Sequence, residues 1–328
     1  MDGWMPIDFR LAAIDVEPGA LCRPILKPAQ NPSAPSCVKV PRMTVYKREP
    51  ELLIRKRAAI ALLKKSLSRE WFTRIRMLYA LGYWPNLAEP RTFNEMLARR
   101  RVRREHRRYG NLQNKLEARE FARNRVGEKY LSESYGLISS VGELDLDMLP
   151  EWFVAKAVSI ENSRGIYIVP RKADLDVKHF RQSLDRFIHY HGRHDPRQVF
   201  FEELLVDPGF EVPRDYKCWT FHGRVEAIGV ISNRFDGRTT QNFYTRDWQD
   251  IPMARIYPRD PEARIPRPGN LDEIVRVAEA LAEGIDFVRV DLYSLNDRRV
   301  VFGEMTLNPA AGVGAFTPRE YDYEFGRL

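Results

Sequence analysis

Phe287-Val-Arg-Val-Asp-Leu-Tyr-Ser-Leu-Asn-Asp-Arg-Arg-Val-Val-Phe-Gly-Glu-Met-Thr-Leu-Asn-Pro309 reads as two β-strands joined by a polar turn. In the first strand Val288, Val290 and Leu292 take one face, while Arg289, Asp291 and Tyr293 take the other. The second is an apolar run that ends at Glu304. The short connection Ser294-Leu-Asn-Asp-Arg-Arg299 predicts an antiparallel hairpin, which can set Asp291 and Glu304 side by side. Two adjacent carboxylates repel and desolvate each other, so the pair adds nothing to folding by itself. A cation is the usual remedy. Hard oxygen ligands suit magnesium, which commonly arrives with substrate phosphates. The plainer alternative is a surface hairpin whose acids pair with Arg289, Arg298 and Arg299; the rest of the chain weighs against it.

With 328 residues the chain can bury a sizeable core and could hold two domains. Its 44% hydrophobic and 11% aromatic shares are those of a globular protein, not a disordered one. It has no run of eighteen apolar residues, so no transmembrane helix is expected. Met1-Asp-Gly-Trp-Met-Pro6 lacks the basic-then-apolar order of a secretory signal. Cys22, Cys37 and Cys218 are widely spaced and odd in number, which fits free thiols in a reducing cytoplasm. A net charge of +8 fits an anionic partner: nucleotide, acidic polysaccharide, nucleic acid or an anionic membrane surface.

Residues 1–50 are proline-rich and without period, and are expected to form a poorly ordered arm. A basic helical segment is expected over 51–110. From Glu49 to Leu81, Leu52, Leu53, Ile60, Leu63 and Leu67 fall at near-helical spacing among Arg55, Lys56, Arg57, Lys64 and Lys65. This predicts an amphipathic helix packed on the domain; peripheral membrane docking is the sharper reading. Two prolines then break the helix, and Thr92 to Glu95 predicts a capping box that restarts one. Seven arginines lie in Arg99–Arg108, but no stacking aromatics, zinc spacing or DNA-reading motif accompanies them. A solvated or phosphate-facing helix is expected there, and nucleic acid is not the expected partner. Asn114 to Arg123 predicts a further helix.

Strands are predicted at Trp152–Lys156, Ile166–Val169 and Gln198–Leu205, with a helix over Val177–Tyr190. Tyr216–Phe221 and Val225–Ile231 flank His222-Gly223 as a tight hairpin, and Leu271–Gly284 predicts an amphipathic helix with a glycine stop. Recurring hairpins in place of βαβ units predict an α+β fold with mainly antiparallel sheets. His189, His191 and His194 invite a zinc reading, but no fourth ligand is near in sequence. Cys218 is expected to pack inward.

Lys156, Glu202, Glu203, Asp215, Lys217, Arg289, Asp291 and Glu304 all end or interrupt apolar strands. Charges there are costly unless paired or occupied by ligand, so they suggest one cleft for a magnesium-nucleotide. At this point the chain, from Gly82 onward, resembles the TupA-like group of ATP-grasp proteins, named for a protein of teichuronopeptide synthesis. The resemblance rests on an ordered series: Gly82-Tyr-Trp-Pro85, Pro90-Arg-Thr-Phe-Asn-Glu95, Asn114-Lys-Leu-Glu-Ala-Arg119, Leu149 to Lys156, Phe201-Glu-Glu-Leu204, Pro213 to Lys217 with Phe221-His-Gly223, Arg289-Val-Asp-Leu-Tyr293, Gly303-Glu-Met-Thr306 and Phe316-Thr-Pro318.

The resemblance implies an ATP-grasp domain over 111–328, with ATP held between subdomains of roughly 111–200 and 201–328. It implies an ATP- and Mg2+-dependent ligase that joins a carboxylate to an amine through an acyl-phosphate. The implied substrate is a sugar-acid or amino-acid unit of a surface polysaccharide, handled in the cytoplasm or at the inner face of the membrane. By position, Lys115 and Lys156 would meet the α- and β-phosphates, and Glu202, Glu203 and Leu204 would form the adenine and ribose hinge. Lys217 would lie by the γ-phosphate and Arg289 would stabilise transferring charge. Asp291 and Glu304 would bind magnesium. Departures are visible. Thr306 stands where many such enzymes carry Asn, with Asn308 two residues on, so both are candidates for the third metal ligand. Asn114-Lys115 replaces the usual Asp-Lys. The phosphate loop Ser159–Gly165 has one glycine, so Ser163 and Arg164 would take over phosphate contacts. These differences keep two alternatives open: a nucleotide-binding homologue without ligase activity, or a basic interaction protein for nucleic acid or membrane.

Overall fold

The computed structural model describes residues 66–158, 165–189, 197–207, 213–233 and 239–328. The proline-rich arm, the positions Leu52 to Leu63, Cys22 and Cys37, the loop residues Ser163 and Arg164, and His191 and His194 lie outside the described residues. Ser68 caps helix α1 (Arg69–Leu81) by accepting a hydrogen bond from the Trp71 amide. Its backbone, at φ −59° and ψ 155°, is not helical, so α1 begins here, inside the stretch from Glu49 to Leu81 read as one helix. Gly82, at φ 75°, closes α1 in the left-handed conformation that glycine tolerates.

The capping box at the start of α2 (Phe93–Arg103) is present, and Glu95 does more than cap. Its carboxylate accepts the backbone amides of Asn86 (2.8 Å), Arg91 (2.8 Å) and Thr92 (3.2 Å). One side chain therefore folds the proline-broken link back onto the helix. The arginine run divides: Arg103, Arg104, Arg107 and Arg108 are exposed, as expected of a solvated face, while Arg100 and Arg101 turn inward. Arg100 is buried, donates to the Phe287 carbonyl (2.8 Å) and lies 3.1 Å from Asp286. Arg101 donates to the Ala311 carbonyl (2.8 Å). Their guanidinium groups end on backbone carbonyls of β10 and of the Ala311 segment, so these arginines tie α2 to the domain.

Two antiparallel sheets follow. The smaller has strand order β1 (Ser134–Ile138), β4 (Val199–Glu203), β2 (Phe153–Ala157), β3 (Ile166–Val169). Helix α4 (Val177–Ile188) seals one face with Phe180, Leu184 and Ile188 against Phe153, Tyr167 and Phe201. The larger has order β11 (Arg299–Thr306), β10 (Phe287–Leu295), β5 (Arg214–Phe221), β6 (Arg224–Ser232), β7 (Thr240–Tyr244), β8 (Asp250–Ile251). A short ribbon pairs β9 (Ala254–Arg255) with β12 (Phe316–Thr317). His222 (φ 48°) and Gly223 (φ 82°) form the expected two-residue turn between β5 and β6.

The faces of the large sheet are treated differently. Tyr216, Cys218, Val288, Val290 and Leu292 point to one side and bury against α5 (Leu271–Ala282) and α3 (Lys115–Val126). Helix α3 precedes the small sheet in sequence, yet Ala118 and Ala122 pack with the large sheet's core. On the opposite side, Phe93 and Leu97 of α2 and Phe325 of α6 (Glu320–Phe325) cover Trp219, Phe221, Phe243 and Phe287. They cover only that half. The other half of this face carries the charged residues of β5, β10 and β11.

Candidate active site

Register builds the site. Asp291 of β10 stands opposite Lys217 of β5 on one side and Glu304 of β11 on the other, so three adjacent strands present one charged row. Asp291 and Glu304 face each other, as the sequence predicts, for a reason that simple alternation does not supply. Phe302 and Glu304 are two residues apart and should share a face. Instead Phe302 joins the buried core, and the pairing jumps from Asp291↔Glu304 to Leu292↔Phe302. Gly303 is the extra residue of a β-bulge, which reverses the alternation and turns Glu304 toward Asp291. A Cβ at Gly303 would lie 3.0 Å from the Asp291 carbonyl oxygen and 3.1 Å from the Tyr293 ring. Gly303→Val is therefore expected to cost ~1–3 kcal/mol in urea unfolding. A neutral result would show that the bulge tolerates a side chain.

The row is fully charged and tightly paired. Lys217 Nζ lies 2.8 Å from Asp215 Oδ2 and 2.6 Å from Asp291 Oδ2. Arg289 donates from Nε and Nη2 to the two oxygens of Asp291, both at 2.6 Å, and from Nη2 to Glu304 at 2.7 Å. Thr306 Oγ1 donates to Glu304 (3.3 Å). Burial pushes the Asp291 carboxyl up to about 6, against the pull of Arg289 and Lys217. Burial opposes the charge of Lys217 too, but Asp215 and Asp291 outweigh it and hold the ammonium above the usual lysine value. Glu304 is desolvated only in part, its side chain being 57% exposed, and Arg289 and Lys217 hold it below the ordinary carboxylate range.

The metal candidates can be tested against this arrangement. Among the described residues no cluster of three or more His, Cys, Asp or Glu side chains is placed to hold a metal ion by itself. Two opposed acids with phosphate oxygens and water completing the shell is nevertheless the pattern that magnesium uses. Asn308 strengthens the fit, because its Oδ1 is buried and has no hydrogen-bond partner. Such an orphaned oxygen is a candidate ligand. Thr306 already spends its hydroxyl on Glu304, which makes it a support for that acid and Asn308 the better third donor.

The nucleotide candidates gather at the small sheet. Lys115 opens α3 beneath its cap, Asn114, and donates to the Ala157 carbonyl (2.8 Å). That brings it to the end of β2, one residue past Lys156. Lys156 pairs with Glu202, whose other oxygen accepts from Ser132 Oγ (2.7 Å); Arg119 lies 4.0 Å away. Glu203 takes both terminal nitrogens of Arg299 (2.6 and 2.8 Å) and the Glu133 amide (3.1 Å). Leu204 follows directly after β4. Arg299 thus joins the hairpin's turn end to the small sheet. From there to Glu304 the strand runs ~17 Å at its usual rise.

Sequence reading missed Arg119, Ser132 and Arg255. Arg255 is 2% exposed and its guanidinium lies among the rings of Phe93, Trp219 and Phe316. Burial pushes its pKa down to about 9. No sequence signal marks it, since its cage is assembled from three distant segments. The zinc reading gains no support: His189 is exposed and pairs with Asp185 of its own helix.

A TupA-like ATP-grasp family model matches residues 95–328. No curated protein matches the chain. Among solved structures it resembles an ATP-grasp ligase, PsnB, complexed with a phosphomimetic variant of a minimal precursor, Mg and ADP (13% identity, TM-score 0.38, 64% of this chain and 57% of that one). It also resembles the D-alanine–D-alanine ligase of Bacillus anthracis (16%, 0.39, 60% and 57%) and that of Coxiella burnetii (14%, 0.43, 66% and 53%). The chain therefore spans just over half the length of these structures.

Proposed function

The chain belongs to the TupA-like ATP-grasp family, and on that premise we propose that it is an ATP- and magnesium-dependent carboxylate–amine ligase. The observation that carries this reading is the row Lys217–Asp291–Glu304 with Arg289 across it, on the charged half of a sheet face. The adenine and ribose would lie at Glu202–Leu204, between lobes built on the two sheets. Lys156 would leave Glu202 for the α- and β-phosphates, joined by Lys115, Ser163 and Arg164. Asp291, Glu304 and Asn308 would hold magnesium, which when bound offsets phosphate charge and fixes its geometry. Lys217, buried against Asp215 and Asp291, keeps Asp291 anionic from behind.

In the first step a substrate carboxylate oxygen attacks the γ-phosphorus and the bond to the β-phosphate oxygen breaks, giving acyl-phosphate and ADP. The amine then attacks the acyl carbon, phosphate leaves, and the amine proton passes to solvent. Arg289 would stabilise charge on the transferring oxygens, because its planar fork reaches two acceptors at once. Such chemistry depends mostly on positioning and on fixed cations. The family's name supports a surface-polysaccharide sugar acid or amino acid as substrate, and ATP supply supports the cytoplasm as the setting. No helix among the described residues is long and apolar enough to cross a membrane.

The test is ADP release with ATP, magnesium and panels of sugar acids and amino acids. A ligase requires both a carboxylate and an amine; binding without ADP release would leave a nucleotide-binding homologue. Asp291 sets the pH dependence. Its raised pKa means that the folded state holds this proton more tightly than the unfolded one. The group therefore favours folding at low pH, and that contribution is lost as pH rises through about 6. Magnesium needs the anion and runs the other way. The stabilisation of the protein by magnesium-ATP is expected to grow across about pH 6. A thermal-shift series that is flat there would contradict the assignment of Asp291.

A further inference from the structure

Helix α1 is apolar on two opposite faces. Thr73 and Met77 are buried against the domain. On the other side Trp71 (56%), Ile75 (39%), Leu78 (43%) and Tyr79 (59%) stand exposed, and Trp84 (48%) extends them just beyond the helix. At 100° per residue the four helical side chains fill about a 100° arc. The two tryptophan rings lie 5.7 Å apart, with the Arg74 guanidinium over Trp84. Twelve large hydrophobic side chains are exposed among the described residues, and five of them sit in these fourteen positions, so the patch is a concentration and not scatter.

We propose that this face docks on an anionic lipid surface. Three observations favour lipid over a protein partner. Three of the five side chains are Trp or Tyr, which prefer the headgroup level because one end is apolar and the other polar. The charge is complementary: residues 51–76 contain eight Lys or Arg against two Glu, a net of +6 out of the chain's +8. The patch is also small and carried on one helix. Its exposed fractions amount to roughly 500 Å² of side chain, taking about 150–250 Å² for an aromatic, below the about 800 Å² per partner of a standard protein interface. A basic segment beside an aromatic helix face is what reversible, salt-sensitive surface binding requires. The assignment is independent of the ligase reading and would place whichever reaction this chain performs next to a membrane.

The experiment is sedimentation of the full chain with vesicles of phosphatidylcholine alone, or with about 30% phosphatidylglycerol, at low and high salt. Wild type is expected to bind the anionic vesicles, to ignore the neutral ones and to be released by salt. Trp71→Ser with Tyr79→Ser is expected to lower the partition coefficient by about tenfold or more, while its thermal unfolding midpoint stays that of wild type, since both side chains are exposed. Unchanged binding by the variant would overturn the proposal. So would the absence of anionic binding, whether residues 1–65 cover the face or a second copy does; a dimer that the substitutions dissociate would identify the latter.

Discussion

Lys217→Met is expected to destabilise the protein by ~3–5 kcal/mol at neutral pH, the cost of stranding buried charge. Lys217 is the shared partner of Asp215 (2.8 Å) and Asp291 (2.6 Å), and all three side chains are buried. Methionine nearly matches its volume, so the loss would not come from a cavity. It would come from two carboxylates that lose the ammonium they share in a low-dielectric site. The sign of the pH dependence follows. Without Lys217 the Asp291 carboxyl, already above its ordinary value, rises further, so the folded variant binds this proton more tightly than the unfolded chain. Its deficit should shrink as pH falls toward the unfolded carboxyl value and be largest above the raised folded one. Urea unfolding of both proteins at pH 7 and pH 5 checks this. A deficit below about 1 kcal/mol at neutral pH would place Lys217 among ordinary surface pairs.

The legible parts of this chain were those with short-range causes. Alternation in Phe287–Tyr293, the His222-Gly223 turn and the Thr92–Glu95 box each depend on neighbouring residues, and each appears where its pattern lies. The opposition of Asp291 and Glu304 was foreseeable from the hairpin, but its mechanism was not, since the bulge at Gly303 undoes the alternation that predicts Phe302 and Glu304 on one face. A glycine directly before a charged residue at a strand's end was the available signal. Arg100, Arg101 and Arg255 were illegible for a different reason. An arginine that ends on a carbonyl or inside an aromatic cage has the same sequence appearance as a solvated one, and the partners lie roughly 36 to 210 residues away. The packing of α3 on the large sheet is likewise a long-range outcome, decided by which apolar surface Ala118 and Ala122 can reach.

Arg289 offers the sharpest separation between scaffold and chemistry. In the structure its guanidinium occupies both acids at once, with two bonds of 2.6 Å to Asp291 and one of 2.7 Å to Glu304. A magnesium ion at those acids must share them with this cation. Removing Arg289 should therefore leave the metal's affinity intact or raise it, while the charge on the transferring oxygens loses its fixed donor. For Arg289→Ala, ADP release is expected to fall by about 10²–10³, with the magnesium-ATP thermal shift equal to or larger than that of wild type. Arg289→Lys should not restore turnover, because a single ammonium cannot reproduce a planar fork. Asp291→Asn should show the opposite pattern, losing the magnesium-dependent part of the shift along with turnover. Were Arg289→Ala to lose shift and turnover in the same proportion, Arg289 would be a strut for the acidic pair, and the charge-stabilising role in phosphoryl transfer would have to move to another cation of the cleft.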